Sequence, residues 1–110
     1  MGMVGGGSDA FIGAIHRRAA FMDNQIELVC GCFSVDPAIS RSSGREYFVP
    51  DERIYDNYHE MFAREISLPE EERMDFVTIV TPNKWHFEPA MMALERGIHV
   101  VLDKPITFSL

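Results

Sequence analysis

The chain has 110 residues, 46% of them hydrophobic and 25% charged, with 10 Lys+Arg against 17 Asp+Glu for a formal net charge of -7. That length and composition fit one globular domain and exclude a disordered chain, a collagen-like repeat and a disulfide scaffold. The acid excess disfavours a broad nucleic-acid surface, which needs a basic face, but leaves room for an anionic ligand held by backbone N–H groups at a helix N-terminus.

No stretch approaches the ~20 apolar residues of a membrane span. Met1–Ser8 also lacks the basic-then-apolar order of a signal peptide. Met3-Val4 reads as the stub of a strand, and Asp9 to about Met22 as a helix capped by Asp9, with Phe11, Ile12, Ile15, Ala19 and Met22 on its inner face. Glu27–Phe33 is a strand containing Cys30 and Cys32. Two apart on a strand, these thiols share a face, and a bond between them would be strained. They read as reduced core thiols of a cytoplasmic protein, and C-x-C with no further cysteine argues against zinc.

Asp36 caps a helix that opens at Pro37 and is expected to stop near Gly44. Arg53–Tyr55 reads as a short edge strand. Asn57 to about Ile66 reads as a helix with Tyr58, Met61 and Phe62 inward, followed by a charged connection, Ser67–Arg73. Asp75–Thr81 is nearly all β-branched or apolar, the mark of a strand buried on both faces. Pro82 stops it. Lys84–Arg96 is a helix with Phe87, Ala90, Met91 and Leu94 inward and Gly97 as its stop. His99–Leu102 is a last strand, Asp103-Lys104-Pro105 follows, and Thr107–Leu110 would open another helix. Strands alternating with helices imply an α/β fold, a doubly wound parallel sheet.

Ligands bind such sheets at the carboxyl ends of the strands, which directs attention to four segments. Residues 4–13 contain G-x-G-x-x-A (Gly5, Gly7, Ala10) with Gly13 one turn on. Gly5 permits a tight turn, Gly7 lets the backbone approach a pyrophosphate, and Ala10 or Gly13 lets the helix sit close on the strands. The loop and first helical turn, Gly5, Gly7, Ser8, Ala10, Phe11 and Ile12, are therefore candidate cofactor-binding residues. A flexible GGGS leader is the bland alternative, and the helix that follows at once argues against it. At the end of the second strand a ribose diol calls for an acid about 20 residues past the glycines. Ser34 stands there instead, and Asp36 is better explained as a helix cap. A hydroxyl does not repel a 2′-phosphate, and Arg41 or Arg45 could pair with one, a lean toward NADP over NAD. The same arginines fit equally well as solvated surface charges.

In Thr81-Pro82-Asn83-Lys84-Trp85-His86, Asn83 could cap a helix and face a nicotinamide ribose. Thr81, Pro82 and His86 are further candidate cofactor-binding residues, with a structural histidine the bland alternative for His86, and Trp85 reads as a packing residue. Lys104, with Asp103 before it and Pro105 fixing its turn, sits where a lysine overlooks the cofactor crevice. Alone it would be a surface charge; beside the glycine loop it becomes a candidate catalytic residue.

Taken in order, the glycine loop, Thr81–His86, Ala93–Val100 and Asp103-Lys104-Pro105 resemble the N-terminal half of the Gfo/Idh/MocA family of glucose–fructose oxidoreductase and inositol dehydrogenase type. The resemblance covers essentially the whole chain. It implies a Rossmann domain that binds NAD or NADP, followed by a second α/β domain for a sugar, cyclitol or related polyol. It also implies that Lys104 contacts both cofactor and substrate, with Asp103 in place of the usual Glu. Family members continue well past the acid-Lys-Pro motif, so the chain is expected to be a Rossmann domain trimmed at both ends, without the substrate domain or its proton-shuttling residues. Apolar surface left by a missing strand would favour a homo-oligomer. Two function classes follow: the cofactor-binding portion of an oxidoreductase acting on CH–OH groups, or a non-catalytic NAD(P)-sensing module. A methyltransferase is a weaker third, since it too would want an acid where Ser34 stands.

Overall fold

In the computed structural model, residues 1–8, 11–81 and 87–102 are described. Four strands and four helices follow in the order β1 (Gly2–Gly5), α1 (Phe11–Phe21), β2 (Cys30–Cys32), α2 (Pro37–Glu46), α3 (Tyr58–Glu65), β3 (Phe76–Val80), α4 (Phe87–Glu95) and β4 (His99–Leu102), with two helices between β2 and β3. The sheet is fully parallel in the order β2-β1-β3-β4. The expected strand at Arg53–Tyr55 reduces to one parallel bridge, Gly31 to Ile54, beyond the outer edge of β2. A single 3-10 turn, Asp51–Arg53, leads into it.

Side chains of the strands alternate between two cores. Val4, Cys30, Cys32, Val77 and Ile79 face Met61 and Phe62 of α3 and Ala90 and Ala93 of α4. Met3, Phe33 and Val80 form the second core, with Ile12 and Ala20 of α1 packed against it. Both cysteines are free, buried and in one core, the shared face their spacing implies.

The helix ends follow local chemistry. The Asp36 carboxylate accepts the Ala38 N–H at 2.9 Å, and Asn57 accepts from Glu60 at 2.8 Å. Gly97, at φ +74°, closes α4 with the Ile98 N–H reaching back to the Ala93 carbonyl, a Schellman ending.

Three expectations are corrected. Helix α2 does not stop at Gly44 but runs two residues past it to Glu46, and glycine stands at 44 because a Cβ there would lie 2.6 Å from Ile54 Cδ1. Gly44 is a close-packing residue, not a terminator. In α4 the inward residues are Pro89, Ala90 and Ala93, whereas Phe87 is 59% and Leu94 58% exposed and Met91 also faces outward. In α1, Ile12 and the buried Gly13 face the core, while Ile15, Ala19 and Met22 are exposed. In α4 small residues take the side nearest the sheet and the bulky residues the other, whereas in α1 Gly13 makes the close approach beside Ile12. Among the described residues no helix is long and apolar enough to cross a membrane, and no group of three or more His, Cys, Asp or Glu is placed to hold a metal ion.

Candidate functional site

The chain crosses from β1 leftward to β2 and later returns to β3 on the other side of β1. The carboxyl ends of β1 and β3 therefore flank the point where the winding reverses, the crevice in which open α/β sheets bind ligands. Gly5 lies at that point, opposite Val80. Gly5 and Gly6 take φ +85° and +75°, a left-handed run that glycine alone adopts without strain. A Cβ on Gly5 would come within 3.0 Å of the Thr81 backbone nitrogen, and one on Gly13 within 2.5 Å of Gly6 Cα. The tight turn expected at Gly5 is present, and the small residue that lets α1 sit close is Gly13. Among the expected pairings, the structure brings together the glycine loop and Thr81.

Side chains from two helices hold the loop. Arg17 of α1 donates to the Gly6 carbonyl at 2.8 Å, and the Tyr47 hydroxyl, just past α2, donates to the same oxygen at 3.0 Å. The Arg17 guanidinium lies 3.7 Å over the Tyr47 ring. Burial pushes the Tyr47 hydroxyl above the usual tyrosine range. Ser43 is fully buried; its Oγ accepts the Ser8 N–H at 2.9 Å and its hydroxyl donates to Ser8 Oγ at 3.3 Å. Sequence reasoning missed Arg17, Ser43 and Tyr47. The available signals were Arg17 one turn after Gly13 and Ser43 four residues before Tyr47, each pair sharing a helix side.

The remaining candidates are placed as follows. Ile12 packs its side chain against the second core. Phe11 opens α1. Ser34, half-buried at the end of β2, accepts the Asp36 N–H at 3.1 Å. Arg41 is paired with Asp56 at 3.3 Å, and Arg45 holds Asp51 through two bonds of 3.0 and 3.2 Å. Gly7 is buried in the loop. Ala10, Pro82, Asn83, His86, Asp103 and Lys104 lie outside the described residues. Among the described residues, a pocket of about 770 Å³ lies elsewhere, beside the segment that leads into β2, among Val29, Tyr55, Leu68 and several glutamates. None of its lining residues belongs to the glycine loop or to the carboxyl ends of β1 and β3.

The loop fits a dinucleotide. Its backbone turns at a position only glycine fills, and the crevice beside it is the one the sheet topology opens.

Comparison with known proteins agrees with this geometry. The family model described as an oxidoreductase family with an NAD-binding Rossmann fold matches residues 1–110. An uncharacterized oxidoreductase of Bacillus subtilis is 39% identical over 108 residues, 97% of this chain and 27% of the relative. The crystal structure of an inositol dehydrogenase homolog from Azotobacter vinelandii complexed with NAD+ superposes with a TM-score of 0.93 at 41% identity, over 98% of this chain and 27% of that one. The same homolog complexed with NADH and myo-inositol also gives 0.93 at 41% identity, over 98% of this chain and 28% of that one. The chain thus spans about a quarter of the length of these relatives. With the family model matching from the first residue to the last, the chain belongs to the Gfo/Idh/MocA oxidoreductase family, with the family's NAD-binding Rossmann fold.

Proposed function

We propose that this chain is the dinucleotide-binding domain of an oxidoreductase acting on a CH–OH group of a sugar, cyclitol or related polyol. The observation that carries the reading is the pair of left-handed glycines, Gly5 and Gly6, at the switch point between β1 and β3. The loop from Gly5 to Ser8 and the opening of α1 would hold the pyrophosphate, and Ser34 would face the adenosine ribose. Thr81 adjoins the loop, so Pro82, Asn83 and His86 after it would line the nicotinamide side. Lys104 follows β4 and would contact both nicotinamide and substrate. When bound, the nicotinamide supplies hydride exchange; the protein supplies position and electrostatics.

The polyol class is supported by relatives of this family, among them the homolog crystallised with NADH and myo-inositol. A D-glucoside 3-dehydrogenase of Escherichia coli is 28% identical over 91 residues. An NADP preference would require Arg41 to leave Asp56. An exposed pair of that kind is worth about 0–1 kcal/mol, so a 2′-phosphate could take the arginine over. The buried, unpaired thiols suit a reducing, cytoplasmic setting.

The test is calorimetric titration of the chain with NADH and then NADPH. Saturable binding with NADH at least as tight as NADPH supports an NAD site, and a reversed ratio supports the Ser34 and Arg41 route to NADP. A folded chain that binds neither refutes the reading. In the intact enzyme, Lys104→Ala should lower turnover far more than cofactor affinity, and equal losses would contradict its role.

A further inference from the structure

The Gly6 carbonyl is held in an unusual way. Two long side chains, one from α1 and one from the residue just past α2, are ordered onto one loop oxygen, Arg17 at 2.8 Å and Tyr47 at 3.0 Å. Each side chain also fixes the other, because the guanidinium lies 3.7 Å over the phenol ring. The ring in turn packs edge-on against Phe33 of the core, with centroids 5.3 Å apart. Two residues further along, the Ser8 N–H is held by the fully buried Ser43. The loop is therefore anchored at both ends of the Gly6–Ser8 stretch before any ligand arrives.

Peptide planarity converts this anchoring into an orientation. In a trans peptide the N–H points opposite to the C=O. Holding the Gly6 carbonyl against Arg17 and Tyr47 turns the Gly7 N–H away from those two side chains. The Ser8 N–H is already satisfied within the protein. The guanidinium also places a positive charge against the loop of a chain whose formal charge is -7.

We propose that Arg17, Ser43 and Tyr47 are positioning residues of the dinucleotide site, which fix the glycine loop so that the Gly7 N–H meets the pyrophosphate. This rests on the dinucleotide reading above. None of the three need touch the cofactor. They remove in advance the ordering cost that a loose glycine loop would otherwise meet on binding.

The test uses the 110-residue chain and two ligands, NADH and ADP-ribose, the second keeping the pyrophosphate and lacking the nicotinamide. Tyr47→Phe keeps the ring and its contact with the guanidinium and removes one donor to Gly6. It should weaken both ligands by the same factor, about three- to tenfold. Arg17→Met removes a charged donor and should weaken both about tenfold or more. Arg18→Met, one residue on and exposed, serves as the charge control and should bind as wild type does. Ser43→Ala should speed amide exchange at Ser8 in the ligand-free chain.

Unchanged binding by both Tyr47→Phe and Arg17→Met would overturn the proposal. So would an equal loss from Arg18→Met, which would reduce the effect to net charge, or a loss confined to NADH, which would move it to the nicotinamide end. If Arg17→Met fails to fold, Tyr47→Phe decides alone, since it deletes one oxygen. A folded wild-type chain that binds neither ligand would refute the dinucleotide reading itself. Wild-type binding with unaffected variants would refute only the clamp.

Discussion

Replacing Glu65 by alanine should cost the fold about 3–5 kcal/mol, the range for removing one partner of a buried ion pair. The Glu65 side chain is 1% exposed and its partner Arg53 17%. Oε1 accepts from Arg53 Nη2 at 2.6 Å and from the Met74 N–H at 3.3 Å; Oε2 accepts from Arg53 Nε at 3.0 Å and from the Tyr55 hydroxyl at 2.9 Å. Alanine strands all of these donors at once. The residual exposure of Arg53 lets its guanidinium find some water, which puts the expected loss toward the lower end. In a domain of this size about 1 kcal/mol moves Tm by roughly 4–8 °C, so the fall should be at least about 12 °C. Glu65→Gln keeps the volume and an oxygen for Tyr55 but loses the charge, and should cost about 1.5–3 kcal/mol. Urea unfolding followed by far-ultraviolet circular dichroism gives both numbers. A loss below about 1 kcal/mol for alanine, or a larger loss for glutamine than for alanine, would refute the account. The network ties the end of α3 to the residue leading into β3, the strand whose far end meets Gly5. A loosened variant should therefore also bind NADH more weakly.

Gly13→Ala should destabilise the chain by about 1–3 kcal/mol and weaken NADH, because the new methyl meets Gly6 backbone at 2.5 Å, where no side chain can yield; wild-type melting and binding would contradict that. Burial, then the charges of Asp56 and Glu60, push the Cys32 thiol up to about 12 from 9.0. Its folded pKa lies above the unfolded one, so its contribution is full below pH 9 and is lost as pH rises from there toward 12. Denaturation midpoints at pH 7.5 and pH 10.5 should accordingly fall less in Cys32→Ala than in wild type, and equal falls would refute the assignment. On α4, Leu94→Glu should stay within about 0.5 kcal/mol of wild type, while Ala93→Leu should cost about 1–3 kcal/mol by overpacking. Thermal melts with the order reversed would return Leu94 to the core. If the outward Phe87, Met91 and Leu94 cause self-association, Leu94→Glu should also lower the apparent mass in size-exclusion chromatography, and an unchanged oligomer would place the interface elsewhere.

Apart from the strand expected at Arg53–Tyr55, order and type of the described elements were legible in the sequence because each is set locally. Asp36-Pro37 and Asn57 start helices through their own side chains, Gly97 ends one through its φ, and the run from Phe76 to Val80 can only be an inner strand. Helix facing was not legible in α1 and α4. Residues 87–94 are almost all apolar, so a period of 3.6 finds several stripes and cannot choose among them. Distance to the sheet makes the choice, and it selects alanine and glycine over phenylalanine and leucine. Gly44 shows the same effect: read locally it ends a helix, but in the fold it admits Ile54. The site divides in the same way. The glycines announce their turn, since no other residue takes that conformation cheaply. The residues that hold the turn in place do not. Arg17 lies on a face that reads as ordinary amphipathic helix, and Ser43 and Tyr47 reach the loop only because α2 returns beside it, about forty residues along the chain. What a loop can do is written in its own residues, whereas how firmly it is held depends on contacts between distant segments. Arg17, Ser43 and Tyr47 are therefore where variation among relatives sharing this glycine loop should tune affinity without altering the motif.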